Sequence, residues 1–367
     1  MLKKFAVTNF KGFKERIEFD LSKPRNYEFN SFAIRNGIIN DAIIYGPNGS
    51  GKSNIGLAIF DIINHLSQNR KESGFYFHPT YGSKSDLVMT FEYIFDFEGQ
   101  IVEYSYSKNI LCVLVQEKLV VDSKTVFEKG KNLSIDNVSF PMTPEVRQSL
   151  LRSSNTISIV NYLLATFPLS SDHYLNRLKR FVDSMLWFRC LEGRGFMGLQ
   201  PDNPSTTIDE FIISNNLVDD FKDFLWEISE QRFVFKKHEQ TEKRLICLID
   251  GSEIAYNNIQ STGTSSLMLL YFWLKNINNA SLLFIDEFDA FYHFKLSAAV
   301  CKRLFRLPCQ VILTSHNTYL MSNEILRPDC NFIIDNNRIR ALCDCTEKEL
   351  RWGHNIEKLF RGGAFEQ

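Results

Sequence analysis

The fold is decided by one short stretch of the chain, which reads Gly46-Pro47-Asn48-Gly49-Ser50-Gly51-Lys52-Ser53. It follows the apolar run 41–45, which predicts a buried strand, and it opens the segment 52–68, whose apolar positions recur at helical spacing. The stretch matches the pattern G-x-x-x-x-G-K-[ST] in full, between a strand and a helix. Glycines let the backbone N–H groups point inward at a phosphate, and the helix N-terminus adds its positive end. The sequence therefore predicts an α/β nucleotide-binding core built around this turn.

All eight residues of this loop are candidate ligands of ATP. We expect Lys52 to reach the β- and γ-phosphates and the Ser53 hydroxyl to bind Mg²⁺. The alternative is a glycine turn that starts a helix and holds no ligand, which the complete pattern disfavours.

A second apolar run, Leu282–Ile285, ends in the two carboxylates Asp286 and Glu287. A strand inside a parallel sheet presents such residues at its carboxyl end, where ligands bind in open α/β sheets. We expect Asp286 to hold Mg²⁺ and Glu287 to orient or deprotonate the attacking water. Alone this pattern is weak, because apolar strands often end in aspartate, but together with the loop it is strong.

A third stretch, Thr314-Ser315-His316-Asn317, follows the predicted strand over 310–313. A histidine at this position can approach the γ-phosphate and respond to its presence. The alternative is a histidine that caps a strand-to-helix turn. Its place one strand after the carboxylates favours a catalytic role for His316.

Composition sets limits on the remaining possibilities. The chain has 367 residues, enough for two or three modules, and its 42 Lys+Arg against 43 Asp+Glu give a net charge of −1. A uniformly basic nucleic-acid binder is therefore unexpected. The eight scattered cysteines favour a reduced, cytoplasmic protein, and no apolar stretch predicts a membrane span. The 32 phenylalanines fit either a packed core or an adhesive surface.

The pattern between the motifs divides the chain into three parts. Residues 1–135 read as the first half of the core with an antiparallel β subdomain, which includes a hairpin over 91–97 and 101–106. Residues 136–230 read as a mainly helical insertion, and residues 231–367 as the second half of the core. Helical patterns in the insertion cover 144–152, 155–166, 173–188 and 208–229. No heptad pattern is sustained, so a long coiled coil is excluded.

In this order, the three motifs resemble those of ABC-type ATPases of the RecF, SMC and OLD-like group. The resemblance covers about residues 1–67 and 255–335, and the chain is similar to standalone AAA ATPases of bacterial abortive-infection and anti-phage operons. It implies an ABC-type P-loop NTPase core that binds ATP and Mg²⁺. It also implies a homodimer or higher homo-oligomer in which each ATP lies between two chains.

The resemblance implies roles for two further groups of residues. Ser261, Gly263 and Thr264 occupy the place of the signature loop, which contacts the nucleotide bound by a second chain. The alternative is a plain helix N-cap at Ser261 or Thr262. Asp289 matches the aspartate that touches the opposite subunit in this group. A coupling glutamine is expected within 75–85, but that stretch contains none.

For function, the resemblance favours an ATP-driven switch in phage defence that controls a separate effector such as a nuclease or toxin. The segment after His316 is too short for the nuclease domain of OLD-type proteins. One alternative is a RecF-like DNA-maintenance ATPase, and another is a scaffold that binds ATP without hydrolysing it. The tail 349–361 could dock a partner or close the core. A DNA-binding face could use the basic residues Arg177, Lys179, Arg180, Arg189 and Arg194.

Overall fold

The computed structural model describes residues 1–69, 88–153, 157–190, 195–201, 206–237, 239 and 242–365. The strands in these ranges are β1 (Leu2–Thr8), β2 (Ile17–Asp20), β3 (Ile34–Arg35), β4 (Ile38–Ile39), β5 (Asp41–Tyr45), β6 (Met89–Phe97), β7 (Gln100–Lys108), β8 (Leu114–Val121), β9 (Lys124–Lys129), β10 (Leu133–Ile135), β11 (Met185–Arg189), β12 (Phe196–Gly198), β13 (Ile246–Ile249), β14 (Ser252–Ala255), β15 (Leu282–Asp286), β16 (Gln310–Ser315), β17 (Asn331–Asp335) and β18 (Arg338–Ala341). The helices are α1 (Lys52–Phe60), α2 (Ile63–Leu66), α3 (Pro144–Ser153), α4 (Ile159–Thr166), α5 (Tyr174–Asp183), α6 (Ile208–Ser214), α7 (Val218–Ser229), α8 (Thr262–Asn276), α9 (Phe294–Leu304) and α10 (Ile356–Arg361). The predicted α/β fold class is confirmed.

A central sheet contains the strands that precede the three motifs. Its order is β12-β11-β15-β16-β5-β17-β18. Neighbours from β11 to β17 run parallel, whereas β12 and β18 pair antiparallel at the two edges. Strands β15, β16 and β5 are buried at every position, because a parallel sheet is covered on both faces. Their carboxyl ends lie side by side at one edge of the sheet.

The second large sheet is antiparallel, with the order β10-β9-β8-β7-β6-β1-β2. The predicted hairpin is present as β6 and β7, which turn at Glu98 and Gly99, both with positive φ. Burial alternates along β6, as expected where one face of a sheet packs on the core and the other is more open. The predicted antiparallel β subdomain is confirmed.

Gln310, the first residue of β16, joins the two large sheets. Its side-chain oxygen accepts a hydrogen bond of 3.0 Å from the N–H of Leu2, and its amide nitrogen donates to the carbonyl oxygens of Leu2 (2.9 Å) and Ile39 (3.0 Å). The Phe19 ring in β2 meets the Phe332 ring in β17 edge-on at 4.9 Å. The sheets therefore share one buried core.

The predicted helix over 173–188 is wrong in its last five residues, 184–188. Helix α5 ends at Asp183, and Met185–Arg189 forms β11, which pairs in parallel with β15. A short apolar run is compatible with a buried strand and with a buried helical segment, so periodicity alone does not separate them. Two strands of the predicted helical insertion thus belong to the central sheet, while the division at residues 136 and 230 stays a prediction.

The other predicted elements differ in their bounds. The helices expected over 52–68 and 208–229 are each divided in two, as α1 with α2 and α6 with α7. The longest helix of the described ranges is α8, with 15 residues, which is too short for a long coiled-coil arm. Within the same ranges, no helix has the length and apolar character needed to cross a membrane.

Candidate functional site

The three motifs meet because they follow neighbouring strands. The glycine-rich loop follows β5, Asp286 and Glu287 lie at the end of β15, and His316 follows β16. The register places Ser315 beside Tyr45, at the ends of β16 and β5. Carboxyl ends of adjacent parallel strands form the ligand-binding edge of an α/β sheet. The three motifs therefore lie together at one edge of the central sheet.

The loop backbone requires glycine at two positions. Gly51 has a φ of 105°, and a Cβ there would lie 2.6 Å from the ring of Phe13. A Cβ on Gly46 would lie 2.6 Å from the carbonyl oxygen of Ile334. The intervening residues 47–49 are exposed. Larger side chains at these two positions would therefore clash with the residues packed behind the loop, while residues 47–49 leave the loop open to solvent, as a phosphate site requires.

The Lys52 side chain contacts the first two residues of this loop. Its ammonium donates hydrogen bonds to the carbonyl oxygens of Gly46 (2.8 Å) and Pro47 (3.0 Å) and lies 3.3 Å from His316 Nδ1. Burial lowers the pKa of Lys52, and the charges of Glu287 and Asp286 act in the opposite direction. These two carboxylates thus help to keep a cation at the place where phosphate charge would bind.

His316 lies between Lys52 and Glu287. Its Nε2 is 3.7 Å from Glu287 Oε1. If Lys52 donates to Nδ1, the imidazole proton must sit on Nε2, on the side of Glu287. Glu287 itself has a φ of 50°, in the left-handed region. The histidine and the glutamate are therefore adjacent polar groups at the open edge of the sheet.

Asp286 is fully buried, and each of its two oxygens has a different polar neighbour. Thr314 Oγ1 donates to Oδ1 at 2.8 Å, and Arg189 Nε lies 3.0 Å from Oδ2. The Ser53 hydroxyl is close enough to act on the pKa of the carboxyl group. Burial raises the pKa of Asp286, although the hydrogen bonds and Arg189 oppose this. A carboxylate beside a hydroxyl is a hard-oxygen ligand pair of the kind Mg²⁺ prefers. The residues present therefore fit a magnesium site.

Ser261 is the N-cap of α8, which was the alternative to a signature loop. Its hydroxyl accepts a hydrogen bond from the N–H of Thr264 at 3.2 Å, and Ser261 and Thr262 are exposed. The buried Thr264 hydroxyl donates to Gln231 Oε1 at 3.1 Å. A Cβ on Gly263 would lie 3.0 Å from the carbonyl oxygen of Phe291. Capping and a role toward a second chain are compatible, and the latter stays a prediction.

The Asp289 side chain forms its hydrogen bond within its own chain. It is buried, and its carboxylate accepts a hydrogen bond of 2.8 Å from Ser315, whose hydroxyl in turn accepts one from the N–H of Asn317. Burial raises the pKa of Asp289. The side chain therefore braces the turn that contains His316, and its predicted contact with an opposite subunit stays a prediction.

Two residues of the site had no predicted role in it. Arg189 was expected only on a DNA-binding face, yet it is paired with Asp286. Residues 185–189 are an apolar run that ends in a charged residue, just as 282–286 are, but such a run fits a buried helical segment equally well. Thr314 is part of the third motif, but only the structure shows that its hydroxyl connects to Asp286 and to the N–H of Glu287.

The other basic residues expected on a DNA face are mostly engaged. Arg177 donates to the carbonyl oxygen of Phe97 and pairs with Glu98, and Lys179 pairs with Asp183. Of the remaining two, Arg180 is exposed, and Arg194 lies outside the described residues. The segment 75–85, in which a coupling glutamine was expected, also lies outside them.

The C-terminal tail packs on the core close to the loop. Leu350, Ile356 and Phe365 are buried. Phe360 of α10 lines, with His316, a pocket of about 370 Å³ that also contacts the first two loop residues. The tail thus closes the core, and its docking onto a partner stays a prediction.

A protein-family model matches part of the chain. The model of the family described as "AAA domain, putative AbiEii toxin, Type IV TA system" matches residues 201–322. The match includes the Ser261 loop, both carboxylates and His316. It confirms, over this part of the chain, the resemblance to AAA ATPases of abortive-infection systems. No curated protein matches the chain significantly.

Several solved structures are similar to the chain over most of its length. The SMC head domain from Thermotoga maritima has 14% identity, covers 93% of this chain and 98% of its own, and gives a TM-score of 0.44. The Smc head domain with an extended coiled coil, bound to the C-terminal domain of ScpA and derived from Pyrococcus furiosus, has 12% identity, covers 92% and 95%, and gives 0.42. The recombination mediator RecF with ATP has 13% identity, covers 93% and 99%, and gives 0.39.

Proposed function

We propose that this chain binds ATP with Mg²⁺ in the loop 46–53 and hydrolyses it, and that it acts as a nucleotide-dependent switch. The observation that supports this is the meeting of Lys52, Asp286, Glu287 and His316 at the ends of three adjacent strands. Such groups provide positioning and charge stabilisation, which are the main contributions of proteins to phosphoryl transfer.

In this proposal each residue has a distinct task. Lys52 exchanges its carbonyl partners for the β- and γ-phosphates, and His316 donates a hydrogen bond to the terminal phosphate. Glu287 accepts the proton of the attacking water at its carboxylate. Ser53 and Asp286 hold Mg²⁺, which when bound neutralises charge that develops on the phosphates.

The active form in this proposal is a head-to-tail homodimer. Ser261 and Gly263 of one chain contact the nucleotide held by the other. The exposed position of Ser261 at a helix N-terminus supports this, because free N–H groups at such an end attract anions. ATP would then hold the two chains together and its hydrolysis would release them.

The biological setting that we propose is bacterial phage defence, with the chain acting in the cytoplasm on a separate effector such as a nuclease or toxin. The family match, whose description names a toxin system, supports this. The DNA-maintenance alternative is weaker because Arg177, Lys179 and Arg189 are engaged within the chain.

The decisive experiment compares phosphate release and oligomeric state in the wild type, Glu287→Gln and the exposed control Glu324→Gln. We expect multiple turnovers in the wild type and the control, and a dimer in Glu287→Gln that persists with ATP in light scattering. Failure of the wild type to bind ATP would overturn the proposed function. Binding without turnover would favour the non-hydrolysing scaffold, and normal turnover in Glu287→Gln would remove the assignment of the base.

The defence role is tested separately in cells. The gene is expressed with its genomic neighbour, and phage plating efficiency is compared for the wild type, Lys52→Ala and Glu287→Gln. Protection that depends on both genes and is lost in Lys52→Ala supports control of an effector. Protection that is indifferent to Lys52 contradicts it.

A further inference from the structure

Arg189 and Asp286 are neighbours across two parallel strands. They are register partners at the carboxyl ends of β11 and β15, and Arg189 Nε lies 3.0 Å from Asp286 Oδ2. The Asp286 side chain is fully buried, and that of Arg189 is only 19% exposed. Pairs with this little solvent exposure are screened weakly, so their charges interact strongly.

The contacts divide the two oxygens of Asp286 between different partners. Oδ1 accepts the hydrogen bond of Thr314, and Oδ2 faces the guanidinium of Arg189. The Ser53 hydroxyl, the second expected metal ligand, is near enough to lower the pKa of this carboxyl group. The guanidinium thus provides the positive charge that the carboxylate would otherwise receive from a metal ion.

Arg189 is also connected to the helix that begins at Ser261. The next residue, Cys190, is buried and lines one pocket together with Ser266 of α8. The Ser266 hydroxyl lies 2.8 Å from the hydroxyl of Tyr292, which follows the carboxylate segment. The end of β11 is therefore packed between the proposed metal ligand and α8.

We propose that Arg189 is a positioning residue that occupies Asp286 Oδ2 in the nucleotide-free chain and yields this oxygen to Mg²⁺ when Mg·ATP binds. The proposal rests on the proposed function and deepens it. Two cations on one buried carboxylate repel each other, so the metal must displace the guanidinium or bind more weakly. Arg189 thus sets the Mg²⁺ concentration that nucleotide binding requires. When Arg189 leaves Asp286, the end of β11 beside α8 is freed.

The test measures binding of a non-hydrolysable ATP analogue by calorimetry at a series of Mg²⁺ concentrations. For Arg189→Gln we expect the Mg²⁺ concentration at half-maximal binding to fall about tenfold, since the competitor for Asp286 is gone. Arg189→Lys, which keeps the charge, is expected to stay near the wild type. The matched control Arg180→Gln changes an exposed arginine and is expected to have no effect.

The outcomes separate the two proposals. If the wild type does not bind the analogue at any Mg²⁺ concentration, the proposed function fails and this inference fails with it. If the wild type binds and Arg189→Gln needs the same or more Mg²⁺, only the role of Arg189 is overturned. A higher requirement would indicate that the guanidinium contacts phosphate instead.

Arg189→Gln leaves the buried Asp286 unpaired, and the variant protein can unfold for that reason. A stability measurement tests the proposal in that case as well. In nucleotide-free protein we expect Arg189→Gln to lower the melting temperature, and the double variant R189Q/D286N to recover part of the loss because it removes both charges. A double variant no more stable than Arg189→Gln would show that the two residues are not coupled and would overturn the proposal.

Discussion

Thr314 Oγ1 donates a hydrogen bond of 2.8 Å to Asp286 Oδ1, and both side chains are fully buried. The same hydroxyl accepts a hydrogen bond of 2.7 Å from the N–H of Glu287. One side chain of β16 therefore fixes the two consecutive carboxylate residues at the end of β15. Because Glu287 has a positive φ, this bond also stabilises an unusual backbone conformation.

Replacing Thr314 with valine tests this relationship. Thr314→Val keeps the shape but leaves the Glu287 N–H and Asp286 Oδ1 each without one partner, so we expect the free energy of unfolding to fall by about 1–3 kcal/mol. Turnover should fall more than nucleotide affinity, because positioning of the base is lost. Steady-state kinetics of ATP hydrolysis measure this split. Thr314→Ser retains the hydroxyl and should stay close to the wild type, and equal kinetics in the valine variant would contradict the role.

Lys52→Ala removes the ammonium from the loop. A charged hydrogen-bond donor to phosphate contributes about 1.5–3 kcal/mol, so we expect ATP affinity to fall about tenfold to a hundredfold. Calorimetric titration of ATP with Mg²⁺ measures the change. The exposed residue Lys131 provides the control Lys131→Ala, and unchanged affinity in Lys52→Ala would argue against the loop as the phosphate site.

The strands around the motifs could be predicted from sequence, but β11 could not. At each motif the local sequence pattern requires one conformation. This holds for the loop, for the run 282–285 and for the turn before His316. The run 185–189 has no glycine or proline before it and directly follows α5, so only its pairing with β15 makes it a strand. For the same reason Arg189 could not be placed, since its position depends on which strand lies beside it.

The phenylalanine excess shows a similar limit of the sequence. Composition left a packed core and an adhesive surface open, and in the described residues most phenylalanine side chains are buried. Those exposed in the same ranges are Phe32, Phe291 and Phe294. Most of the excess is therefore explained by packing between the sheets and helices, which depends on contacts distant in sequence.

Gly56 allows α1 to pack closely on β15. A Cβ at this position would lie 2.5 Å from the ring of Phe284, which is fully buried. Overpacking costs about 1–3 kcal/mol, whereas alanine gains about 1 kcal/mol of helix propensity. We therefore expect Gly56→Ala to lower the free energy of unfolding by about 1–2 kcal/mol in urea denaturation. Adding Phe284→Leu should restore part of the loss, and a stabilised single variant would contradict the close contact.

Asp41 predicts a pH dependence of stability that is separate from the nucleotide site. It is the first residue of β5 and is fully buried, and its Oδ1 accepts a hydrogen bond of 3.0 Å from the side-chain amide of Asn40. Burial raises the pKa of Asp41 from its usual 3.8 to about 8. Between these values the folded chain keeps a proton that the unfolded chain releases. The free energy of unfolding should therefore fall as pH rises through this window, by at most about 1.4 kcal/mol per pH unit.

Asp41→Asn removes this titration while keeping the size of the side chain. We expect the free energy of unfolding, measured by urea denaturation between about pH 5 and about pH 8, to fall less with rising pH in Asp41→Asn than in the wild type. Other groups titrate in both proteins, so the difference between the two curves isolates Asp41. The exposed Asp172→Asn serves as the control and should follow the wild-type curve. If the Asp41→Asn curve runs parallel to the wild-type curve, Asp41 is already ionised in the folded chain, and the raised pKa is contradicted.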